Sequence, residues 1–153
     1  MSQTFEQAFH LLCRREIGRG MSRIVYDSDL LPGCVIKIED DAGKFQNVVE
    51  WETWNRVKNT DYSRWFAECK SISGNGSILI MERTRPAGMA EFLEKMPAFF
   101  CDFKRTNYGT VASSATRSGK PGAHHLVCHD YGTSLIFEHG LTKRMRKADW
   151  WDA

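Results

Sequence analysis

No two of the five cysteines, Cys13, Cys34, Cys69, Cys101 and Cys128, form a C-x-x-C pair, and an odd, scattered set of this kind makes no disulfide framework. They read as free thiols in a reducing compartment. The start, from Met1 to Gln7, lacks a basic leader region, and a long apolar run is missing as well, so neither a signal peptide nor a membrane span is expected. This predicts a cytoplasmic protein. Charge of one sign is also lacking: the formal net charge is only +2, and nothing global demands nucleic acid or an anionic membrane as partner. Repeats and low-complexity segments are absent too.

What is present is 153 residues, 42% hydrophobic and 26% charged, the balance of one ordinary soluble domain with a real core. Phe5, Ala8, Phe9 and Leu12 recur at helical spacing, and Thr4 with Gln7 makes a capping box, which predicts a short opening helix. Gly18 and Gly20 then interrupt a turn that leads into the β-branched run Ile24-Val25. Glycine lets backbone approach a phosphate, although an ordinary hairpin turn has the same look. Arg23 stands where a third glycine would complete G-x-G-x-x-G.

The segment Cys34–Glu39 alternates as a strand, with Val35 and Lys37 on one face and Ile36 and Ile38 on the other. The stretch 45–57 contains neither Gly nor Pro and reads as a helix. Asn47, Glu50, Trp54 and Val57 share one stripe of it, while Glu52 lies about 160° further round. Glu50 is therefore the preferred partner for Lys37. Residues 65–72 and 77–82 read as two strands joined by the turn Gly74-Asn75-Gly76, and Pro86-Ala87-Gly88 as a linker. A helix from Met89 to about Phe100, kinked at Pro97, is expected next. The small-residue, basic stretch 109–122 suggests a mobile loop, and His125–Cys128 a short strand leading to Asp130-Tyr131-Gly132. The tail from Gly140 reads as a basic helix bearing Trp150 and Trp151.

Chemistry concentrates in Asp102-Phe103-Lys104-Arg105-Thr106-Asn107, which sets an acid, a cation and an amide at offsets of zero, two and five. Such a set can take a proton from a hydroxyl, neutralise a phosphate oxygen and hold a divalent metal, although a solvated charged loop carries the same residues.

In chain order, Gly18-Arg19-Gly20, Val35-Ile36-Lys37, Glu50, Asp102-Phe103-Lys104-Arg105-Thr106-Asn107 and Asp130-Tyr131-Gly132 resemble the protein-kinase signatures: the Gly-rich loop, V-A-I-K, its helix glutamate, H-R-D-x-K-x-x-N and D-F-G. Ile80-Met81-Glu82 looks like the gatekeeper and first hinge residue. The resemblance spans residues 16 to 132, and so shortened a kinase-like chain looks like the small kinase-like proteins of some bacteriophages. It implies an α+β fold: an antiparallel-sheet kinase-like N-lobe at about 14–85 and a truncated, mostly loop-and-helix C-lobe at about 86–153. It implies ATP and Mg2+ as cofactors, with Gly18, Gly20, Lys37, Glu50, Met81 and Glu82 on the nucleotide. Asn107 and Asp130 would carry the metal, Asp102 would take the acceptor's proton, and Lys104 would stabilise the transferring phosphoryl group.

The departures from the family are specific. Phe100-Cys101 replaces the His-Arg that anchors the catalytic loop. About twenty residues separate Glu82 from Asp102, where the family fits two helices, and 21 residues follow Gly132, too few for an activation segment with A-P-E. The implied function is a minimal Ser/Thr-type phosphotransferase whose partner is a protein substrate or host protein target, with docking supplied by a partner, a second protomer or the target itself. The alternative is a catalytically silent kinase-like adaptor or inhibitor. A zinc site is a weaker rival: His124, His125, Cys128 and His129 supply four donors, but on a strand Cys128 faces away from His125 and His129. Lys143, Arg144, Arg146 and Lys147 with the two tryptophans are compatible with nucleic acid, or simply with a solvated helix packing on the body.

Overall fold

Alternating residues between Glu16 and Glu82 build one antiparallel sheet in the computed structural model, which describes residues 3–40, 44–112 and 123–152. Helix α1 (Gln3–Leu12) comes first, followed by β1 (Glu16–Arg19), β2 (Arg23–Asp27) and β3 (Cys34–Glu39). Helix α2 (Gln46–Val57) precedes β4 (Cys69–Ile72) and β5 (Ile78–Glu82). The strand order is β1-β2-β3-β5-β4, so β3 lies at the centre. The chain is thus α+β with a five-stranded antiparallel sheet.

By its contacts the chain forms two compact units, Met1–Trp51 with Cys69–Arg83, and Glu52–Glu68 with Thr84–Ala153. In the first, Phe9 of α1 meets Tyr26 of β2 edge to face at 5.9 Å, and Ile36, Leu79 and Met81 are fully buried. Strands β4 and β5 are joined through a turn where Gly76 has φ +76°, and a Cβ there would come within 2.7 Å of Val48 Cγ2. Glycine is required at that position by both conformation and space. The strand expected at 65–72 begins only at Cys69. Before it, Asp61–Trp65 forms a 3-10 turn in which the Thr60 side chain accepts from the Tyr62 amide at 3.2 Å.

The second unit is built on aromatics. Phe66, Phe99, Phe100 and Tyr131 are almost wholly buried and pack ring on ring with centroids 4.9–5.8 Å apart. Beside short helical turns, its described residues form two ribbons, where mostly loops and helices were expected over 86–153. Strand β6 (Lys95–Pro97) pairs with β9 (Met145–Lys147), and β7 (Tyr108–Ala112) with β8 (His124–Cys128). Helix α3 (Ile136–His139) is a single turn.

Two expected helices are therefore corrected. From Met89 the chain makes a 3-10 turn, Met89–Glu91, and then enters β6. Met89 and Leu93 stay exposed while Met96, Phe99 and Phe100 are buried, so no helical stripe forms. The tail forms β9 because Met145–Lys147 finds the ladder of β6, and cross-strand pairing outweighs local propensity. Of the stretch read as a mobile loop, residues 109–112 belong to β7, and 113–122 lie outside the described residues.

Candidate functional site

Strand β3 buries Lys37, which pairs in register with Val25 of β2 and Leu79 of β5. The same strand ends in Glu39, whose carboxylate accepts from the first backbone N–H groups of α2, Gln46 at 2.6 Å and Asn47 at 3.2 Å. Glu39 thus caps the helix and fixes where it starts relative to the strand. Asn47 sets the helix phase: its amide donates toward the carbonyls of Lys37, Gly76 and Ser77 at 3.1–3.2 Å. One turn on, Glu50 must face the sheet. It is fully buried, and its Oε2 accepts from Lys37 Nζ at 2.9 Å, whereas Glu52 points to solvent.

Arg23 completes this cluster. Its guanidinium grips Glu50 as a fork, Nη1 to Oε2 at 2.8 Å and Nη2 to Oε1 at 2.9 Å, and it also donates to Asn47 Oδ1 at 3.2 Å. Burial alone would push the Glu50 carboxyl up, but the charges and hydrogen bonds of Lys37 and Arg23 outweigh it and hold the group at about 2. Sequence reasoning noted Arg23 only as a missing glycine. The available signal was strand register: Arg23 and Val25 share a face of β2, and Val25 stands opposite Lys37.

Gly18 lies in β1 opposite Val25, and Gly20 opens the β1–β2 turn, which its N–H closes on Arg23 O at 2.8 Å. Neither has positive φ, and a Cβ would meet nothing nearer than 3.7 Å at Gly18 or 3.9 Å at Gly20. The fold does not require glycine at either. Met81 is fully buried, with Val35 and Cys69 as strand partners, and Glu82 is half-buried opposite Cys34. The Met81 side chain thus serves the core.

The second unit gathers Asp102, Asn107 and Asp130. The β7–β8 ribbon pairs Tyr108 with Cys128, so the residues just outside the pair must meet. The Asn107 carbonyl accepts from the amides of His129 at 2.9 Å and Asp130 at 3.3 Å. Ribbon β7–β8 is held close to Thr84 and Arg85 because residue 109 is glycine: a Cβ there would lie 2.7 Å from Arg85 O. Asp102 Oδ1 accepts from the Lys104 amide at 3.1 Å, a local turn, and Oδ2 from Asn107 Nδ2 at 3.0 Å. With its NH2 group committed to Asp102, the Asn107 amide has a fixed orientation. Tyr108 donates its phenol to Asp102 O at 3.1 Å, and burial, then Cys128, pushes that phenol far up, so it remains a donor. Asp102, Asp130 and Tyr131 line one small recess with Cys101 and Thr133. Tyr131 itself is buried and donates to Ala67 O at 2.8 Å. Lys104 is the exception, its ammonium lying over the Trp151 ring at 5.6 Å from the centroid.

Among the described residues, His124, His125, Cys128 and His129 do not gather as one zinc site. His129 is held by Thr84 Oγ1 and Thr106 O, both at 2.8 Å, and His124 by Arg85. No group of three or more His, Cys, Asp or Glu side chains is placed to hold a metal ion among the described residues. Trp150 is a packing residue, with its indole N–H on Leu93 O at 2.7 Å and its ring against Phe92, Phe103 and Tyr108. All five cysteines are free, and no described helix is long and apolar enough to cross a membrane. No family model matches the chain, and no curated protein or solved structure matches it either.

Proposed function

We propose that the chain is an ATP-dependent phosphotransferase, a reduced protein kinase that moves the γ-phosphoryl group of ATP to Ser or Thr hydroxyls of a protein target. The observation that carries the reading is the buried 2.9 Å pair between Lys37, on the third strand, and Glu50, on the helix that follows. A strand lysine held by a helix glutamate is the arrangement in which kinases present an ammonium to the α- and β-phosphates. The sheet order and the gathering of Asp102, Asn107 and Asp130 support the same reading. So do Gly18 and Gly20, since glycines that the fold does not demand are explained by close approach of a phosphate.

Asn107 and Asp130, which meet through the 3.3 Å bond of Asp130 N–H to Asn107 O, would hold Mg2+ through an amide and a carboxylate oxygen, a set suited to an ion that takes its other ligands from water and phosphate. Bound there, it would neutralise charge building on the phosphate oxygens. Asp102 would orient the acceptor hydroxyl and receive its proton as the new O–P bond forms and the bond to the ADP oxygen breaks. Asn107 holds Asp102 in place through the 3.0 Å bond. Lys104 would offset charge on the transferring group once its ammonium leaves the Trp151 face.

A second reading, a catalytically silent kinase-like binding module, is favoured by one feature. Beyond Thr84 the only α-helix among the described residues is the single turn α3, so the helices on which kinases seat peptides have no counterpart there. Incubation with labelled ATP and Mg2+ separates the two. Label transferred to protein and lost in Lys37→Ala, Asp102→Asn and Asp130→Ala supports the kinase. ATP binding without transfer supports the silent module, and no nucleotide binding overturns both.

A further inference from the structure

The His-Arg that would anchor the 102–107 loop is replaced by Phe100-Cys101, and Phe100 is spent in the aromatic core, against Phe66, Phe99 and Tyr108. Something else must hold the loop. Tyr108 Oη holds its start at Asp102 O, and His129 and Asp130 hold its end at Thr106 and Asn107; its middle is held from the far end of the chain. Trp151 N–H donates to Phe103 O at 3.1 Å, and Arg105 N–H donates to Trp151 O at 2.9 Å, so Trp151 and Lys104 form a parallel β-bridge. Asp152 Oδ2 then takes Arg105 Nη1 at 2.9 Å. On the other side of the bridge, Trp150 packs against both Phe103 and Tyr108, with centroids 5.4 and 4.9 Å away. The segment is itself fixed, because Ala148 N–H reaches Glu94 O at 2.9 Å and Trp150 reaches Leu93 O at 2.7 Å.

We propose that Trp150-Trp151-Asp152 is a positioning strut for Asp102 and Lys104, taking the place of the family's His-Arg anchor. The inference rests on the phosphotransferase reading. Pairing on both sides of Lys104 fixes the backbone of Phe103, Lys104 and Arg105, and Asp102 is the residue immediately before them. Its carboxylate then has only the local bonds to the Lys104 amide and the Asn107 side chain to set its direction. The Trp151 ring gives the Lys104 ammonium a face to rest on, which keeps it from folding onto Asp102. Trp150, Trp151 and Asp152 are positioning residues, since none is assigned to the reacting atoms.

Trp151→Pro removes both the N–H that bonds Phe103 and the ring under the Lys104 ammonium. Trp151→Phe keeps both backbone bonds and an aromatic face. In the intact protein the expected result is a loss of roughly 100-fold in kcat for Trp151→Pro, with KM for Mg-ATP changed less than about two-fold, and near-full activity for Trp151→Phe. The Arg105 amide should exchange with solvent at least about ten-fold faster in Trp151→Pro at pH 7. Asp152→Ala, which removes only the exposed ion pair, is the companion should Trp151→Pro fail to fold, and a fall of a few-fold in kcat is expected, restored by the swap Arg105→Asp with Asp152→Arg. Unchanged kcat in Trp151→Pro and Asp152→Ala, with the intact chain active, overturns the strut and leaves the kinase reading standing. An inactive intact chain overturns the kinase reading instead; exchange then decides the strut, and unaltered protection of Arg105 overturns it.

Discussion

Glu50 accepts from two different cations while fully buried, so its charge is tied to the integrity of the first unit. Its folded pKa, about 2, lies below the ordinary 4.5. A depressed carboxylate contributes stability that is complete above the unfolded value and is lost as pH falls toward the folded one. Melting temperature should therefore decline between about pH 4.5 and pH 2. Glu50→Gln should lie lower at neutral pH and show a shallower acid slope, and equal slopes would count against the pairing. Truncating the shared partner is also worse than truncating one of two. Glu50→Leu strands two buried cations and should cost about 3–5 kcal/mol in urea unfolding. Lys37→Met leaves Glu50 its fork from Arg23 and should cost less than half of that.

Glycines separate function from fold at the scale of the element. In the β1–β2 turn, Gly18→Ala and Gly20→Ala meet no obstacle and should leave stability unchanged or raise it by about 0.4–1 kcal/mol, by restricting the unfolded chain. If phosphates approach that turn, nucleotide affinity should nonetheless fall, which a titration by calorimetry reads directly. Gly109→Ala is the contrast. Its new methyl would press on Arg85 O and Thr84, and a loss of about 1–3 kcal/mol is expected. The elements that position Lys37 and Glu50 were legible because their signals are local: β3 alternates, and the stripe of Asn47, Glu50, Trp54 and Val57 is buried as its spacing demands. Ribbon β6–β9 was not, because each strand is three residues long and its partner lies about fifty residues away. Trp150 to Asp152 likewise carry no mark in sequence of the loop they brace. Their hydrophobic and charged residues suit a surface helix equally well, and only the nonlocal bridge to Lys104 decides.

For the molecule as a whole, ligand linkage gives the most direct test of the nucleotide reading. A ligand that binds only the folded chain at 100 times its Kd stabilises it by about 2.7 kcal/mol, so Mg-ATP should raise the melting temperature measurably. The shift should vanish in Lys37→Ala, and a shift of equal size in that variant would separate nucleotide binding from the Lys37–Glu50 pair. All the strand partners of the five-stranded sheet lie between Glu16 and Glu82, so they are made before either ribbon of the second unit.

The aromatic core has a different timetable. Phe66 bridges Cys128, Ala67 N–H bonds Cys128 O at 2.8 Å, and Tyr131 returns to Ala67 O, so these bonds form only after some sixty further residues have been made. Closing so long a loop is slow, and during synthesis the Phe66 ring can meet Phe99 and Phe100 first but must wait for Tyr131 to complete its cover. That interval is when this chain is most exposed to aggregation, and it ends only when β8 has emerged.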